Sequence, residues 1–143
     1  KTVAGINCVS GDEGLRKILA SSEILVLLLP QTPETTHLLN DDTLTHLPKG
    51  ARIINPGRGP LIDDQALLKA LNAGHISHAT LDVFETEPLP NAHPYWAHSQ
   101  VTVTPHIASD TRPKTAADVV AENIRRGEGG EKLLFQVDRT LGY

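Results

Sequence analysis

A chain of 143 residues is one domain's worth of polypeptide, and with 39% hydrophobic but only 3% aromatic residues its core must come from Leu, Ile, Val and Ala, which suits helices packed on a parallel sheet. The net charge of -4, with no run of Lys or Arg and no interleaving of basic and aromatic residues, argues against a nucleic-acid partner. No apolar stretch approaches the roughly 20 residues of a membrane span and the N-terminus lacks a signal-peptide pattern, so the expectation is a cytoplasmic protein with no membrane partner.

GINCV (5–9) reads as a short strand holding a buried thiol at Cys8, and a single cysteine offers neither a disulfide nor a metal set. Asp12 caps a helix in which Leu15, Ile18 and Leu19 share a face. ILVLLLP (24–30) is a continuous apolar run stopped by proline, the pattern of a strand buried on both sides. QTPETTHLLNDDTLTHLPKG is turn-rich with short helical pieces, ARIIN (51–55) is the next strand, and PGRGP (56–60) is a loop. Asp63 or Asp64 opens a helix with Leu67, Leu68 and Leu71 inside and Gly74 at its C-terminal cap. SHATLDV (77–83) and VTVT (101–104) are further strands. The final helix runs from Asp110 to about Arg126, starting near Arg112-Pro113 and ending at Gly127. GEGGEK (127–132) reads as a linker and LLFQVDRTLGY as a short tail.

Strands separated by helices imply βαβ units and a mainly parallel sheet. Ligands of such sheets bind beyond the carboxyl ends of the strands, where right-handed crossovers gather Pro30 and the loops 56–59, 82–87 and 105–109 along one edge. Arg58 lies between two glycines that allow close backbone approach, and its guanidinium fork matches a carboxylate. Asp82 ends an apolar strand, where an acid is costly unless it accepts a hydrogen bond, for instance from an amide. Glu87, just before Pro88, is placed to face a histidine. His106 follows the last strand directly, and an imidazole can donate or accept a proton, which suits acid/base work beside a carboxylate. His37, His46, His75, His78, His93 and His98 read as packed or solvent-exposed rings. No histidine or acid cluster has metal-ligand spacing, so no metal is expected. No Ser or Cys nucleophile sits in an elbow.

LLLPQTPETTHLLN (27–40), INPGRGPLIDDQALLKAL (54–71) and LDVFETEPLP with HPYW and VTVTPHIA (81–108) together resemble the D-isomer-specific 2-hydroxyacid dehydrogenases in order and spacing. ASDTRP and QVDRTLGY are similar to the glyoxylate/hydroxypyruvate reductase A branch of that family. The resemblance implies that Arg58 clamps the substrate carboxylate and polarises the keto oxygen, that Glu87 orients His106, and that His106 exchanges a proton with the substrate oxygen as hydride moves. It also implies cofactor contacts: Pro30 and Thr35 on the adenosine and phosphate side, Pro56 and Gly57 beside the nicotinamide, and Asp82 near the ring and its amide. Arg58, His106 and Ala108 are counted on the same cofactor surface.

The family chain is roughly twice as long and carries a GxGxxG turn that holds the pyrophosphate at a helix N-terminus, a pattern absent from this sequence. The expected class is therefore α/β, the C-terminal half of a Rossmann-like doubly wound parallel-sheet domain, incomplete in this chain. Residues 1–126 form a partial dinucleotide-binding domain, and 127–143 form the linker and tail that return to a substrate domain. The cluster that chooses between NAD and NADP falls just before Lys1, whose charge tilts the expectation to NADP. The resemblance implies a full-length homodimer that reduces a small 2-keto acid to its 2-hydroxy acid. The 143-residue piece alone is expected to be inactive, to bind cofactor poorly and to expose an unpaired edge or apolar face at its first strands. Two further readings are a nucleotide-sensing, corepressor-like interaction protein, distinguished by cofactor-dependent assembly, and a stable fragment without activity.

Overall fold

The computed structural model describes residues 3–109 and 111–140; Lys1, Asp110 and the end of the tail at 141–143, each carrying an expectation above, lie outside the described residues. The order of elements is α1 (Gly11–Ser21), β1 (Ile24–Val26), α2 (Asp41–Thr45), β2 (Ala51–Asn55), α3 (Asp64–Asn72), β3 (Ile76–Leu81), β4 (Val101–Val103) and α4 (Pro113–Glu128). Tight 3-10 turns occupy Gly59–Leu61 and Pro94–Ala97. The four strands are all parallel and lie side by side in chain order. Each crossover therefore joins nearest neighbours, and every strand delivers its carboxyl end to the same edge.

The pleat decides which face is buried. Leu25 pairs with Ile53, and Ile53 with Ala79, so these residues share a face; all three are buried in one cluster with Leu19, Leu44, Leu67 and Leu71 from the helices. Ile24 opposite Arg52, and Val26 opposite Ile54, occupy the other face, where Ile24 remains 55% and Val26 47% exposed. The helices α1 to α3 thus cover one side of the sheet. This corrects the reading of 24–30 as a strand buried on both sides: β1 is three residues long, is an edge, and alternates in burial. Among the described residues no layer packs on its second face. The expected unpaired edge and exposed apolar side are both present.

GINCV does not form a strand. Val3 and Ile6 make an isolated bridge, the segment finds no ladder partner, and Cys8 is exposed rather than buried. Helix α1 is entered at Ser10, with Asp12 and Glu13 in the first turn, where the helix dipole favours carboxylates. Leu15 packs against the core and Leu19 is buried, but Ile18 stays 39% exposed. Asp63 caps α3 by accepting from the amides of Gln65 (2.9 Å) and Ala66 (3.1 Å). Helix α4 starts at Pro113 as its sequence suggests, yet continues through Gly127 to Glu128, so the expected stop is two residues early. Glu122 pairs with Arg125 and Arg126 one turn on, holding that last stretch, and the chain turns at Gly129–Gly130. No residue of α4 is buried. The tail is tied back to it where Asn123 Oδ1 accepts the Leu134 amide at 2.8 Å.

Candidate active site

The loop after β2 is built on Asn55, a side chain only 1% exposed. Its Oδ1 accepts the Gly57 amide at 3.1 Å and its Nδ2 donates to the Arg58 carbonyl at 2.9 Å, closing the turn around Pro56. Both glycines are needed by the protein itself. A Cβ on Gly57 would stand 2.8 Å from the Leu27 carbonyl oxygen, and one on Gly59 would overlap the Phe84 carbonyl group and lie 2.5 Å from the Glu85 nitrogen. The close approach read from the sequence as room for a ligand is filled by neighbouring backbone. Arg58, held between these contacts, is exposed; its Nη1 donates to the Gly57 carbonyl at 2.8 Å, and among the described residues no carboxylate is hydrogen-bonded to it.

The Gly59 contact presses the Arg58 loop against the segment that carries Glu87. Glu87 uses both oxygens: Oε1 accepts the Phe84 amide at 2.9 Å, and Oε2 lies 2.8 Å from His106 Nδ1. Partial burial pushes its carboxyl up, but the hydrogen bonds from His106 and Phe84, with the charges of His106 and Arg58, together hold it below its ordinary range. An ionised carboxylate only accepts, so Nδ1 of His106 carries the proton of this contact and Nε2 is left for other chemistry. Glu87 and His106, which follow two different strands, are thus in contact, and Arg58, in the loop after a third, lies close enough for its charge to act on Glu87.

Asp82 holds the histidine loop. It is 4% exposed at the end of β3. Oδ1 accepts from the Thr104 hydroxyl (2.5 Å) and the Ile107 amide (3.0 Å), and Oδ2 from the Ala108 amide (2.8 Å). Burial pushes this carboxyl up, and those three donors with nearby His106 outweigh it, leaving it below its ordinary value. The amide acceptance expected of Asp82 is therefore present, directed at 104–108. The turn it braces places His106 at φ 55, in the left-handed region.

Pro30 and Thr35 lie in the loop that follows β1. The Thr35 hydroxyl donates to the Pro30 carbonyl at 2.7 Å and accepts the Thr32 amide at 2.8 Å, so it folds its own loop. Beside them a cleft of about 540 Å³ is lined by Leu29, Pro30, Thr32, Pro33, Glu34 and Thr35, with Thr140 of the tail. A second, apolar cleft of about 610 Å³ adjoins the Glu87–His106 pair, between Phe84, Pro88, Trp96, Val103 and Pro105. Pro56 and Gly57 are half-buried and Ala108 is exposed. Among the described residues no group of His, Cys, Asp and Glu could hold a metal ion, and no helix is long and apolar enough to cross a membrane.

Sequence reasoning missed Asn55, Thr104 and the partners of two histidines. His37 Nε2 lies 2.7 Å from Glu85, and His93 Nε2 lies 3.4 Å from Asp64. Asn55 carried a readable signal, an Asx residue immediately before Pro-Gly at a strand end. The histidine pairs join residues 48 and 29 positions apart, which only the fold brings together.

Comparison with known proteins fits this geometry. The profile described as "D-isomer specific 2-hydroxyacid dehydrogenase, NAD binding domain" matches residues 7–108. The glyoxylate/hydroxypyruvate reductase A of Serratia proteamaculans is 46% identical over all 143 residues, which make up 46% of that protein; the chain spans about half the length of the curated relatives it matches. A D-isomer specific 2-hydroxyacid dehydrogenase from Xanthobacter autotrophicus, solved with NADPH and MES, superposes with a TM-score of 0.96 at 55% identity, covering 100% of this chain and 59% of that one. An NADPH-dependent glyoxylate/hydroxypyruvate reductase from Sinorhizobium meliloti, solved with NADP and sulfate, gives a TM-score of 0.88 at 34% identity over 94% of this chain and 44% of that one. With its parallel sheet, its strand-end Arg58 and its carboxylate-braced His106, the chain belongs to the D-isomer specific 2-hydroxyacid dehydrogenase family, as part of the NAD-binding domain.

Proposed function

We propose that the protein carrying this chain reduces a small 2-keto acid, of the glyoxylate or hydroxypyruvate type, to the 2-hydroxy acid, with NADP favoured over NAD. The observation that carries this reading is the 2.8 Å contact between His106 Nδ1 and Glu87, beside an Arg58 that, among the described residues, is hydrogen-bonded to no carboxylate. Arg58 binds the substrate carboxylate through its fork and draws charge toward the keto oxygen. His106 holds a proton at Nε2 for that oxygen and takes one back in the reverse direction, while Glu87 keeps the ring turned and compensates its positive charge. A nicotinamide cofactor, when bound, supplies or accepts hydride at the substrate carbon.

The strand-end residues fit such a cofactor. The cleft beside Pro30 and Thr35 is largely apolar, with threonine hydroxyls and the Glu34 carboxylate in its lining, and Pro56 and Gly57 present backbone without a bulky side chain. Asp82 contributes by holding the 104–108 turn, and Ala108 stands on that turn. The two relatives solved with NADPH or NADP favour the phosphorylated cofactor. The reading further places the full-length protein in the cytoplasm as a homodimer. The 143-residue piece alone is inactive in this reading, because it has no glycine-rich turn to grip a pyrophosphate.

The test is turnover of the full-length reading frame with glyoxylate and hydroxypyruvate, followed by loss of reduced-nicotinamide absorbance. His106→Ala is expected to lower turnover by about 100-fold or more, and Arg58→Ala to weaken both substrate binding and turnover. Rates close to the parent's in both variants overturn the assignment. Turnover by the isolated piece overturns its inactivity.

A further inference from the structure

Glu87 stands on a strap, residues 82–98, that leaves β3 and returns to β4 across the N-terminal end of α3. One end of the strap rests on Gly59. The other is anchored by Tyr95, a ring 1% exposed whose hydroxyl donates to Asp64 Oδ1 at 2.8 Å. The second oxygen of Asp64 faces His93 Nε2 at 3.4 Å, and His93 Nδ1 accepts the Tyr95 amide, also at 3.4 Å. This arrangement puts the His93 proton on Nε2 and leaves both Asp64 oxygens engaged by the strap. The Phe84 and Tyr95 rings, 6.5 Å apart, connect the two anchored ends.

Asp64 is an expensive residue in that place. Burial pushes its carboxyl up, and its bonds to Tyr95 and His93 offset only part of that. Exposed positions of α3 carry ordinary surface pairs by contrast: Lys69 and Asp41 meet at 2.9 Å with side chains 73% and 67% exposed. The His37–Glu85 contact is also half-exposed and holds the strap weakly.

We propose that Asp64, acting through Tyr95 and His93, is a positioning residue for the Glu87–His106 pair: its grip on the strap sets where Glu87 stands and so which ring nitrogen of His106 carries the proton. The proposal rests on reading Glu87–His106 as the acid/base pair. Glu87 holds Nδ1 protonated only while its carboxylate stays within about 3.2 Å. A strap released at Tyr95 lets that distance grow, and the neutral ring then moves its proton to Nε2, the nitrogen that must be bare to take a proton in the reverse direction.

The experiment is long-range proton–nitrogen correlation spectroscopy of the histidine rings in the whole 143-residue chain, at a pH where His106 is neutral. Thermal unfolding confirms that each variant is folded at the temperature used. His106 in the parent chain shows its proton on Nδ1, and Glu87→Gln removes that preference. Asp64→Ala and Tyr95→Phe also lose it, although Tyr95→Phe keeps the ring in place. Asp41→Asn, which breaks only the exposed pair between α2 and Lys69 of α3, retains it. Should Asp64→Ala fail to fold, Tyr95→Phe decides. Folded Asp64→Ala and Tyr95→Phe chains with the parent's Nδ1–H form overturn the proposal and leave the acid/base pair standing. A parent chain with the proton on Nε2, or one indifferent to Glu87→Gln, overturns the pair and the proposal together.

Discussion

Replacing Gly59 by alanine separates the two halves of the site by a distance that follows from the packing. The added Cβ lies 2.5 Å from the Glu85 nitrogen, where ordinary contact begins near 3.4 Å, and it overlaps the Phe84 carbonyl group as well. Neither neighbour is a flexible side-chain tip, so the backbone of 84–85 must retreat by about 1 Å or more. Glu87 is bonded to the Phe84 amide and travels with it. Its 2.8 Å contact with His106 then opens to about 3.8 Å, beyond hydrogen-bond reach. Overpacking of this kind costs about 1–3 kcal/mol of stability. A displacement of about 1 Å at a reacting group costs on the order of 100-fold in rate. The assay is turnover of full-length Gly59→Ala beside Ile76→Val, a buried change in the same sheet that costs about 0.5–1.5 kcal/mol. The expected result is a rate loss of about two orders of magnitude in the first and near-parent rates in the second. A Gly59→Ala enzyme that keeps the parent's turnover while folded refutes the claim that this contact sets the site.

Asp82→Asn replaces charged acceptors of three donors and is expected to cost about 2 kcal/mol in urea unfolding. The folded-state carboxyl of Asp82 is depressed, so its contribution is present above its ordinary value of 3.8 and lost as pH falls through the lower folded value; the stability gap between parent and Asp82→Asn should narrow below pH 3.8 and stay wide at pH 6. Asp64 has the opposite sign: its raised carboxyl binds a proton more readily when folded, so Asp64→Asn should give its largest relative gain at neutral pH and a smaller one in acid, as paired unfolding curves would read. Asn55→Ala leaves the Gly57 amide and Arg58 carbonyl without their partner and should cost about 1–3 kcal/mol in the same unfolding assay. Cys8 is exposed, so a thiol-labelling reagent should modify it in the folded chain without denaturant.

The sequence was most legible where local chemistry and tertiary context agree. ARIIN is the strand β2 without a residue's error because it pairs on both sides and is flanked by Gly50 and Pro56. The Asp63-Asp64 pair, of which Asp63 is the cap, and Pro113 announced their helices through capping preferences that need no distant partner. The run 24–30 misled because apolar composition reports the burial a segment can sustain, whereas β1 has a neighbour on one side and a helix layer on one face. GINCV failed for a related reason: a strand exists only with a ladder to join. Within the site, Arg58, Glu87 and His106 stood out by position at strand ends. What fixes them did not. The Asp82 latch, the Gly59 contact and the Tyr95–Asp64 bond each join residues from different elements, and no local pattern encodes such pairs.

His106 occupies a backbone conformation that costs an L-residue about 1–2 kcal/mol and a glycine almost nothing. The bend is braced by a buried carboxylate gripping the next two amides, bonds made by the backbone and not by the imidazole. Glycine at that position should therefore yield a sturdier but chemically mute molecule. Selection for heat tolerance alone would drift toward that replacement, and only selection for turnover would hold the histidine in its uncomfortable pose.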